Sequence, residues 1–560
     1  MSEIDTKMEV MEAVRNSWDH YGIPHDLPPS EMHNLLDILA EAVRNYGSQP
    51  AVTSLGGTLT YAELDRQSSA FASYLQQHTG LKHGDRIAIQ MPSLIQYLVV
   101  TYGAFKAGMV IVNVNPMYTA TELEYQFNHA DVKAVVVFDK FLDHTLAVKD
   151  KTPLQTIIST SPFDLHSPLK RVVMSVLMKL LGKASSSAGS ISLLEALKKG
   201  SEQPHQEVAL DGDDLAVLQY TGGTTGVSKP AMLSHSNMVS VTRQSAMVLE
   251  SCGIDRGVER FVSPLPLYHI YAFAVVITVG VHLGVHSQLI PDPRNIKAFV
   301  KLLRQWPASV FIGLNTLFVA LMKDPDFGRI DFSTLKCTIS GGSALATGTS
   351  NDWFEKTGCQ VSEAYGLTEA SPVVSLTPSP GGKQGAVGIA LPGTEIRIAD
   401  DDGNPLAVNE HGELWVRGPQ VMQGYLHFPE ETAKTVTADG WLKTGDIASV
   451  DEDGFLRIHD RMKDMIIVSG FNVYPNEIEG VVSRHPDVTY CAAVGVPDEH
   501  SGEAVKLYVV SANPGLTEKD IRDFCAEQLA RYKLPKYVEF RDELPLSNVG
   551  KVLRRELRDN

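Results

Sequence analysis

The sequence predicts an α/β fold: a large N-terminal body of several subdomains, followed by a small α+β C-terminal domain. Three observations predict it. Short apolar runs at 86–90, 109–112 and 134–137 alternate with stretches of helical character at 61–75 and 94–106. Runs that short suit strands buried in a parallel-rich sheet, with the helices as crossovers between them. The chain has 560 residues, more than one hydrophobic core holds, so two or more domains are required. A compact C-terminal segment of about a hundred residues, a size that folds by itself, begins after Asp460-Arg461-Met462-Lys463-Asp464. Within it 465–468 and 507–510 are strand-like, and Tyr474-Pro475-Asn476-Glu477 opens a helix with proline in the first turn, where its missing N–H costs no bond. The boundaries are placed at 1–459 for the body, 460–463 for a hinge and 464–560 for the small domain.

A hydrophobic content of 43% with 21% charged residues is ordinary for a soluble globular protein. The formal net charge of −17 argues against nucleic acid as a partner, since such proteins carry a basic footprint. An anionic small molecule would need local basic patches, and Arg531, Lys533, Lys536, Arg541, Lys551, Arg554 and Arg555 supply one near the C-terminus. The five cysteines are scattered without Cys-x-x-Cys spacing, which indicates neither a disulfide framework nor a zinc site and fits a reducing cytoplasm. No secretory leader and no apolar span of about 18 residues is present. The expected location is cytoplasmic.

The segment 168–183 is an exception to the sheet-forming pattern. Val173, Val176, Leu177, Leu180 and Leu181 fall on one helical face, with Arg171, Ser175, Lys179 and Lys183 opposite. Such a helix either docks on the protein core or lies on anionic lipid at the inner face of the cytoplasmic membrane. The next residues, 184–190, read as a flexible linker rich in serine and small residues. A homodimer is left open.

The most informative stretch is Tyr220-Thr221-Gly222-Gly223-Thr224-Thr225-Gly226-Val227-Ser228-Lys229, between two strand-like runs at 215–220 and 231–233. Gly222, Gly223 and Gly226 let backbone N–H groups approach an anion; Thr221, Thr224, Thr225 and Ser228 add hydroxyls, and Lys229 adds a positive charge. Together they form a polyphosphate cradle. The spacing is not that of a P-loop nucleotidase, because Lys229 neither adjoins Gly226 nor precedes a serine or threonine.

This loop resembles the phosphate loop of the acyl-adenylate-forming superfamily, which includes acyl-CoA synthetases, peptide-synthetase adenylation domains and beetle luciferases. Where the family has glycine after the lysine, this chain has Pro230. Its fixed φ and missing N–H are expected to weaken phosphate contacts or to stiffen the loop. Further motifs carry the resemblance over nearly the whole chain: Gly341-Gly342-Ser343-Ala344-Leu345, Tyr365-Gly366-Leu367-Thr368-Glu369, Gly440-Trp441-Leu442-Lys443-Thr444-Gly445-Asp446, Asp460-Arg461-Met462-Lys463 and Ser547-Asn548-Val549-Gly550-Lys551. The implied fold is the family's large adenylate-forming domain with a mobile C-terminal cap.

The resemblance implies a site for ATP, Mg²⁺ and, as a second substrate, coenzyme A. Thr221, Gly222, Gly223, Thr224, Thr225, Gly226 and Lys229 would hold the phosphates, Gly341, Gly342 and Gly366 would border the nucleotide, Tyr365 would stack near adenine, and Thr368 would touch phosphate. Asp446 would accept the ribose hydroxyls beside Arg461. Thr225 and Glu369 would hold the metal, an oxygen donor set suited to Mg²⁺ with phosphates completing its shell. Lys551 would bridge carboxylate and α-phosphate, so that catalysis falls to Lys551, Thr225, Glu369 and Lys229. Lys463 is the implied pivot of the hinge, and Ser469, Gly470 and Phe471 the implied loop on the CoA side.

On the acyl side the resemblance implies His269 as a gate, with Gly341 and Gly366. Adenylation domains for amino acids carry an aspartate near this point, and here the chain reads Tyr268-His269-Ile270-Tyr271-Ala272-Phe273. The resemblance is to bacterial long-chain-fatty-acid–CoA ligases in particular. A medium-chain ligase, a fatty-acyl-AMP ligase or luciferase-like relative, and a nucleotide-binding regulatory homologue are the alternatives.

Overall fold

The computed structural model describes residues 3–180, 188–221, 228–379, 381–547 and 552–558, with side chains from Val10 onward. The strands of the described residues form four sheets, of nine, eight, four and five strands. The alternating pattern folds as expected. Strands Arg86–Gln90, Val110–Asn113, Val132–Phe138 and Thr156–Thr160 run parallel, with Ile87 opposite Ile111 and Ala88 opposite Val135. Helices Tyr61–His78 and Ile95–Lys106 pack against one another beside them. The first helix begins where Thr60 and Glu63 form a reciprocal cap, each side chain accepting from the other residue's backbone N–H.

The nine-stranded sheet contains the parallel neighbours Val310–Gly313, Cys337–Gly341 and Val361–Gly366. Phe311, Phe318, Phe327 and Trp353 fill the layer behind them. Val373–Leu376 then turns antiparallel onto the strand that carries Tyr365. In the eight-stranded sheet, Leu215–Thr221 and Lys229–Ser234 form the antiparallel pair expected on either side of the phosphate loop. The four-stranded antiparallel sheet brings Leu442–Val450 beside Leu456–Arg461, with Asp446 opposite Arg461. A separate five-stranded sheet lies within 466–540, and its core, including Ile466, Val473, Ile478, Leu507 and Ile521, is distinct from that of the body.

The amphipathic segment, left open between core docking and lipid, keeps its apolar face uncovered over the described part, the helix Pro168–Leu180, which fully buries no residue. Leu169 and Leu180 are 77% and 80% exposed, and Val172, Val173, Val176 and Leu177 are exposed with them. The hydrogen bond from Lys170 Nζ to the Leu55 carbonyl, 2.6 Å, ties the helix to the body. Leu181, Lys183 and the linker residues 184–187 lie outside the described residues.

Helix Leu193–Gly200 reaches the helix Tyr61–His78 closely enough that a Cβ on Gly200 would stand 1.8 Å from the Ala70 carbonyl oxygen. Backbone must move to admit it. Gly200→Ala is expected to cost about 1–3 kcal/mol, the range for overpacking a tight contact, read as a lower urea midpoint with an unchanged slope.

Candidate functional site

The phosphate-loop residues Gly222, Gly223, Thr224, Thr225 and Gly226 lie outside the described residues, but both roots of the loop are defined. Thr221 stands opposite Lys229, and its Oγ1 donates to the Lys229 carbonyl at 3.1 Å. Tyr125 donates to the Ser228 carbonyl at 3.2 Å, and His129 Nδ1 meets the Tyr220 hydroxyl at 3.0 Å. Pro230 sits inside the strand rather than in the loop. Its carbonyl accepts from Leu426 at 3.0 Å, so its missing N–H faces the two-residue strand Gly424–Tyr425 and not Leu215–Thr221. A strand residue's N–H and C=O share a side, so the proline interrupts no bond of the longer pair.

Lys229 points at a group that its own motif does not contain. Its ammonium is 2.8 Å from Glu431 Oε2 and 5.2 Å from the centroid of the Tyr425 ring. The hydrogen bonds of Glu431 to Lys229 and Lys434 hold its carboxyl well below the usual range, at about 2. Tyr425 in turn donates to Glu369 Oε1 at 2.5 Å. Burial, with the Glu369 charge adding to it, pushes the Tyr425 phenol far up and keeps it a neutral donor.

Glu369 lies in the short turn Thr368–Ala370 that follows the strand Val361–Gly366, so the tyrosine–glycine motif is a strand end and not a free turn. Gly366 is required there, since a Cβ would fall 1.9 Å from the Pro372 carbonyl oxygen. Tyr365 projects to the four-stranded sheet and donates to Asp446 Oδ2 at 2.5 Å, while Arg461 Nε lies 2.9 Å from Asp446 Oδ1. Asp446 is 3% exposed, so its charge is matched by a guanidinium and a phenol rather than by bulk water. Arg461 is held further toward its charged form, first by Asp446, with smaller contributions from Tyr365 and Glu369. Lys229, Glu369, Tyr365, Asp446 and Arg461 thus belong to one continuous electrostatic set, built from four separated stretches of chain.

Gly341 ends its strand opposite Ala364, and a Cβ there would be 3.1 Å from the Tyr271 ring; Gly342 follows with φ near +83°. Tyr271 is buried, and its hydroxyl has no hydrogen-bond partner among the described residues. His269 caps the helix Ile270–Phe273, its Nδ1 accepting from the Tyr271 N–H at 3.3 Å. His269, Tyr271 and Gly341 are therefore neighbours through Tyr271. Ser469 and Gly470, with φ of 52° and 84°, form a two-residue turn between Ile466–Val468 and Phe471–Val473. Phe471 stacks on Tyr532 at 4.8 Å between centroids. Burial lowers the Lys463 ammonium, which precedes Asp464 in a short helical turn. Lys551 lies outside the described residues, so its place relative to the set is not described.

Two contributors were missed in the motifs, Tyr425 and Glu431. The signal available was the run Gly424-Tyr425 followed by Pro429-Glu430-Glu431, a proline-started helix with acids in its first turn. Glu369 keeps its second oxygen clear of the Tyr425 bond, a hard oxygen donor of the kind Mg²⁺ accepts. Among the described residues no group of three or more His, Cys, Asp or Glu is placed to hold a metal. An ion at Glu369 would take its other ligands from phosphate and water.

The chain belongs to the AMP-binding enzyme family, whose main domain matches residues 39–426 and whose C-terminal domain matches 477–551. Among its relatives is the long-chain-fatty-acid–CoA ligase of Escherichia coli O157:H7, 46% identical over 542 residues that cover 96% of each chain. Among solved structures, the ATP-bound MatB of Rhodopseudomonas palustris superposes with a TM-score of 0.81 at 31% identity, covering 94% of this chain and 98% of that one. A fatty acyl CoA synthetase of Mycobacterium tuberculosis does so with 0.70 at 26% identity, covering 95% and 99%.

Beside the strand that carries Tyr365, Glu363 lines a cavity of about 340 Å³ with Leu345, Gln384 and Thr377. Burial pushes its carboxyl up to about 7, against the Leu345 N–H and the Arg457 charge, which both favour ionisation. The folded form therefore binds a proton that the unfolded chain releases near pH 4.5. Stability from this group is present below that value and is lost as pH rises toward 7. Glu363→Gln is expected to remove a decline of up to about 3 kcal/mol between pH 4.5 and 7, measured by urea unfolding across that range.

Proposed function

We propose that this protein joins a long-chain fatty acid to coenzyme A in two steps, using ATP and releasing pyrophosphate and then AMP. The convergence of Lys229, Glu369, Asp446 and Arg461 in one linked set carries the reading, together with the family and the relatives above. In the first step a carboxylate oxygen of the fatty acid attacks the α-phosphorus and the bond to pyrophosphate breaks. Such transfers depend on positioning and on charge placed around the phosphoryl oxygens.

In this reading Asp446 receives the ribose hydroxyls and exchanges its bond to Tyr365 for them, with Arg461 still paired to the carboxylate. Tyr365, Gly341, Gly342 and Gly366 form the adenine wall, and Thr368 meets the α-phosphate. Lys229 leaves Glu431 for the phosphates, joined by Thr221, Gly222, Gly223, Thr224, Thr225 and Gly226. Mg²⁺ held by Glu369 and Thr225 would neutralise charge on the phosphates. His269, Gly341 and Gly366 border the acyl entrance, and Lys551 neutralises both reacting anions.

In the second step the CoA sulfur attacks the acyl carbon, AMP leaves, and the thiol proton passes to solvent. Lys551 and the thiol cannot occupy the same space, so the small domain, residues 464–560, turns about the 460–463 hinge at Lys463 and presents Ser469, Gly470 and Phe471. Its separate core lets it turn as a unit. Lys551→Ala is expected to lower fatty-acid-dependent ATP–pyrophosphate exchange at least a hundredfold while sparing thioester formation from supplied oleoyl-AMP and CoA. Equal loss of both steps contradicts the assignment.

The helix Pro168–Leu180 supports a further part of the reading, contact with an anionic lipid surface. Its apolar face is uncovered, and Lys170, Arg171 and Lys179 meet no acid within the helix, on a chain of net charge −17. Leu169→Glu with Leu180→Glu is expected to cut co-sedimentation with phosphatidylglycerol vesicles about tenfold and leave binding to phosphatidylcholine vesicles weak in both proteins. Unchanged sedimentation removes the lipid contact.

A further inference from the structure

A cluster of buried charge lies where the small domain meets the end of strand Leu456–Arg461. At its centre is Arg554, 15% exposed at its side chain. Its Nη1 lies 3.1 Å from Asp460 Oδ1, and its Nη2 donates to Glu479 Oε2 at 2.8 Å and Asn476 Oδ1 at 2.5 Å. A third carboxylate, Asp464, is 3.8 Å away and also pairs with Arg558 at 2.8 Å. Asp460 is almost fully buried, and its other oxygen accepts the Asn476 N–H at 2.7 Å.

Two features make this more than a stabilising knot. First, Asp460 stands on the body side of Lys463, while Asn476, Glu479 and Arg554 stand beyond it. The guanidinium therefore crosses the hinge. Second, Arg554 opens a helix whose Leu557 carbonyl accepts from the Tyr508 hydroxyl at 2.8 Å, directly after the bridge between Leu546 and Val552. The Leu553 N–H donates to the Pro545 carbonyl at 2.9 Å beside that bridge, and Lys551, the residue before Val552, lies outside the described residues. One planar fork thus joins the segment just after Lys551 in sequence to Asp460, the first residue of the hinge stretch and on the body side of Lys463, a task that suits arginine better than a flexible point charge.

Phe471 is 55% exposed and stacks on Tyr532 of its own domain, and nothing lies within 4 Å of where a Cβ on Gly470 would stand. The turn assigned to the CoA side faces solvent here. We infer that Arg554 is a positioning residue for the first half-reaction: its tie to Asp460 holds the small domain in one orientation against the body, the orientation that first step uses, and the tie breaks when the domain turns. This rests on the proposed function, in particular on Lys551.

The test uses the purified full chain and two assays: oleate-dependent ATP–pyrophosphate exchange, and thioester formation from supplied oleoyl-AMP and CoA. Arg554→Lys keeps the charge and loses the fork. Asp460→Asn keeps an acceptor for the Asn476 N–H and loses the charge across the hinge, so it carries the test should the first variant fold poorly. Each is expected to lower exchange tenfold or more and to leave thioester formation within twofold of the parent or above it. Parallel loss of both half-reactions, or exchange unchanged in Asp460→Asn, overturns the inference. Lys551→Ala run alongside separates the two levels. If it splits the half-reactions and the Arg554 and Asp460 variants do not, only this inference falls; if Lys551→Ala impairs both equally, the reading beneath it falls.

Discussion

The rest of the site depends on how one buried carboxylate, Asp446, is paired. A carboxylate out of water is costly unless it is paired and hydrogen-bonded. Here Arg461 supplies the charge and Tyr365 the neutral donor, from opposite sides. The pairing is possible because the strands Leu442–Val450 and Leu456–Arg461 set residues 446 and 461 directly across from each other. The same constraint ties the four-stranded sheet to the end of the strand Val361–Gly366. Three elements therefore share a single electrostatic anchor, and the position of Glu369 follows from it because its turn continues directly from Tyr365.

A second set of contacts works in the same way on the phosphate side. Lys229 and Glu369 come from different sheets, and the Tyr425 side chain joins them, its ring beneath the ammonium and its hydroxyl on the carboxylate. Glu431 closes the arrangement from outside. The lysine is thus already matched before any phosphate arrives, so an incoming anion competes with a carboxylate rather than with water. That competition sharpens selection for a ligand of high charge.

Much of this was legible in the sequence, for a reason that also marks its limit. Strands such as Arg86–Gln90, Val132–Phe138 and the Leu215–Thr221 strand that leads into the Gly- and Thr-rich segment declare themselves by short apolar runs. These are local properties. Tyr425 and Glu431 are not legible that way, because the Gly424–Tyr425 strand gains its place by pairing with Ala231 and Met232, which precede it by 194 and 192 residues (425 − 231 and 424 − 232). Arg554 was visible only as part of a basic cluster, and its partners Asp460 and Glu479 give it another meaning. For the helix Pro168–Leu180, periodicity revealed an apolar face but not what would cover it.

The turn at Ser469 and Gly470 has a consequence for affinity. Both residues already occupy the left-handed region that a two-residue hairpin demands, and the Ser469 N–H is bonded to the Ser501 carbonyl at 2.8 Å. Such a tip has little conformational freedom left to surrender. A molecule that meets it after docking would spend almost none of its association free energy on freezing a floppy segment, so modest direct contacts there suffice for capture, and release stays fast.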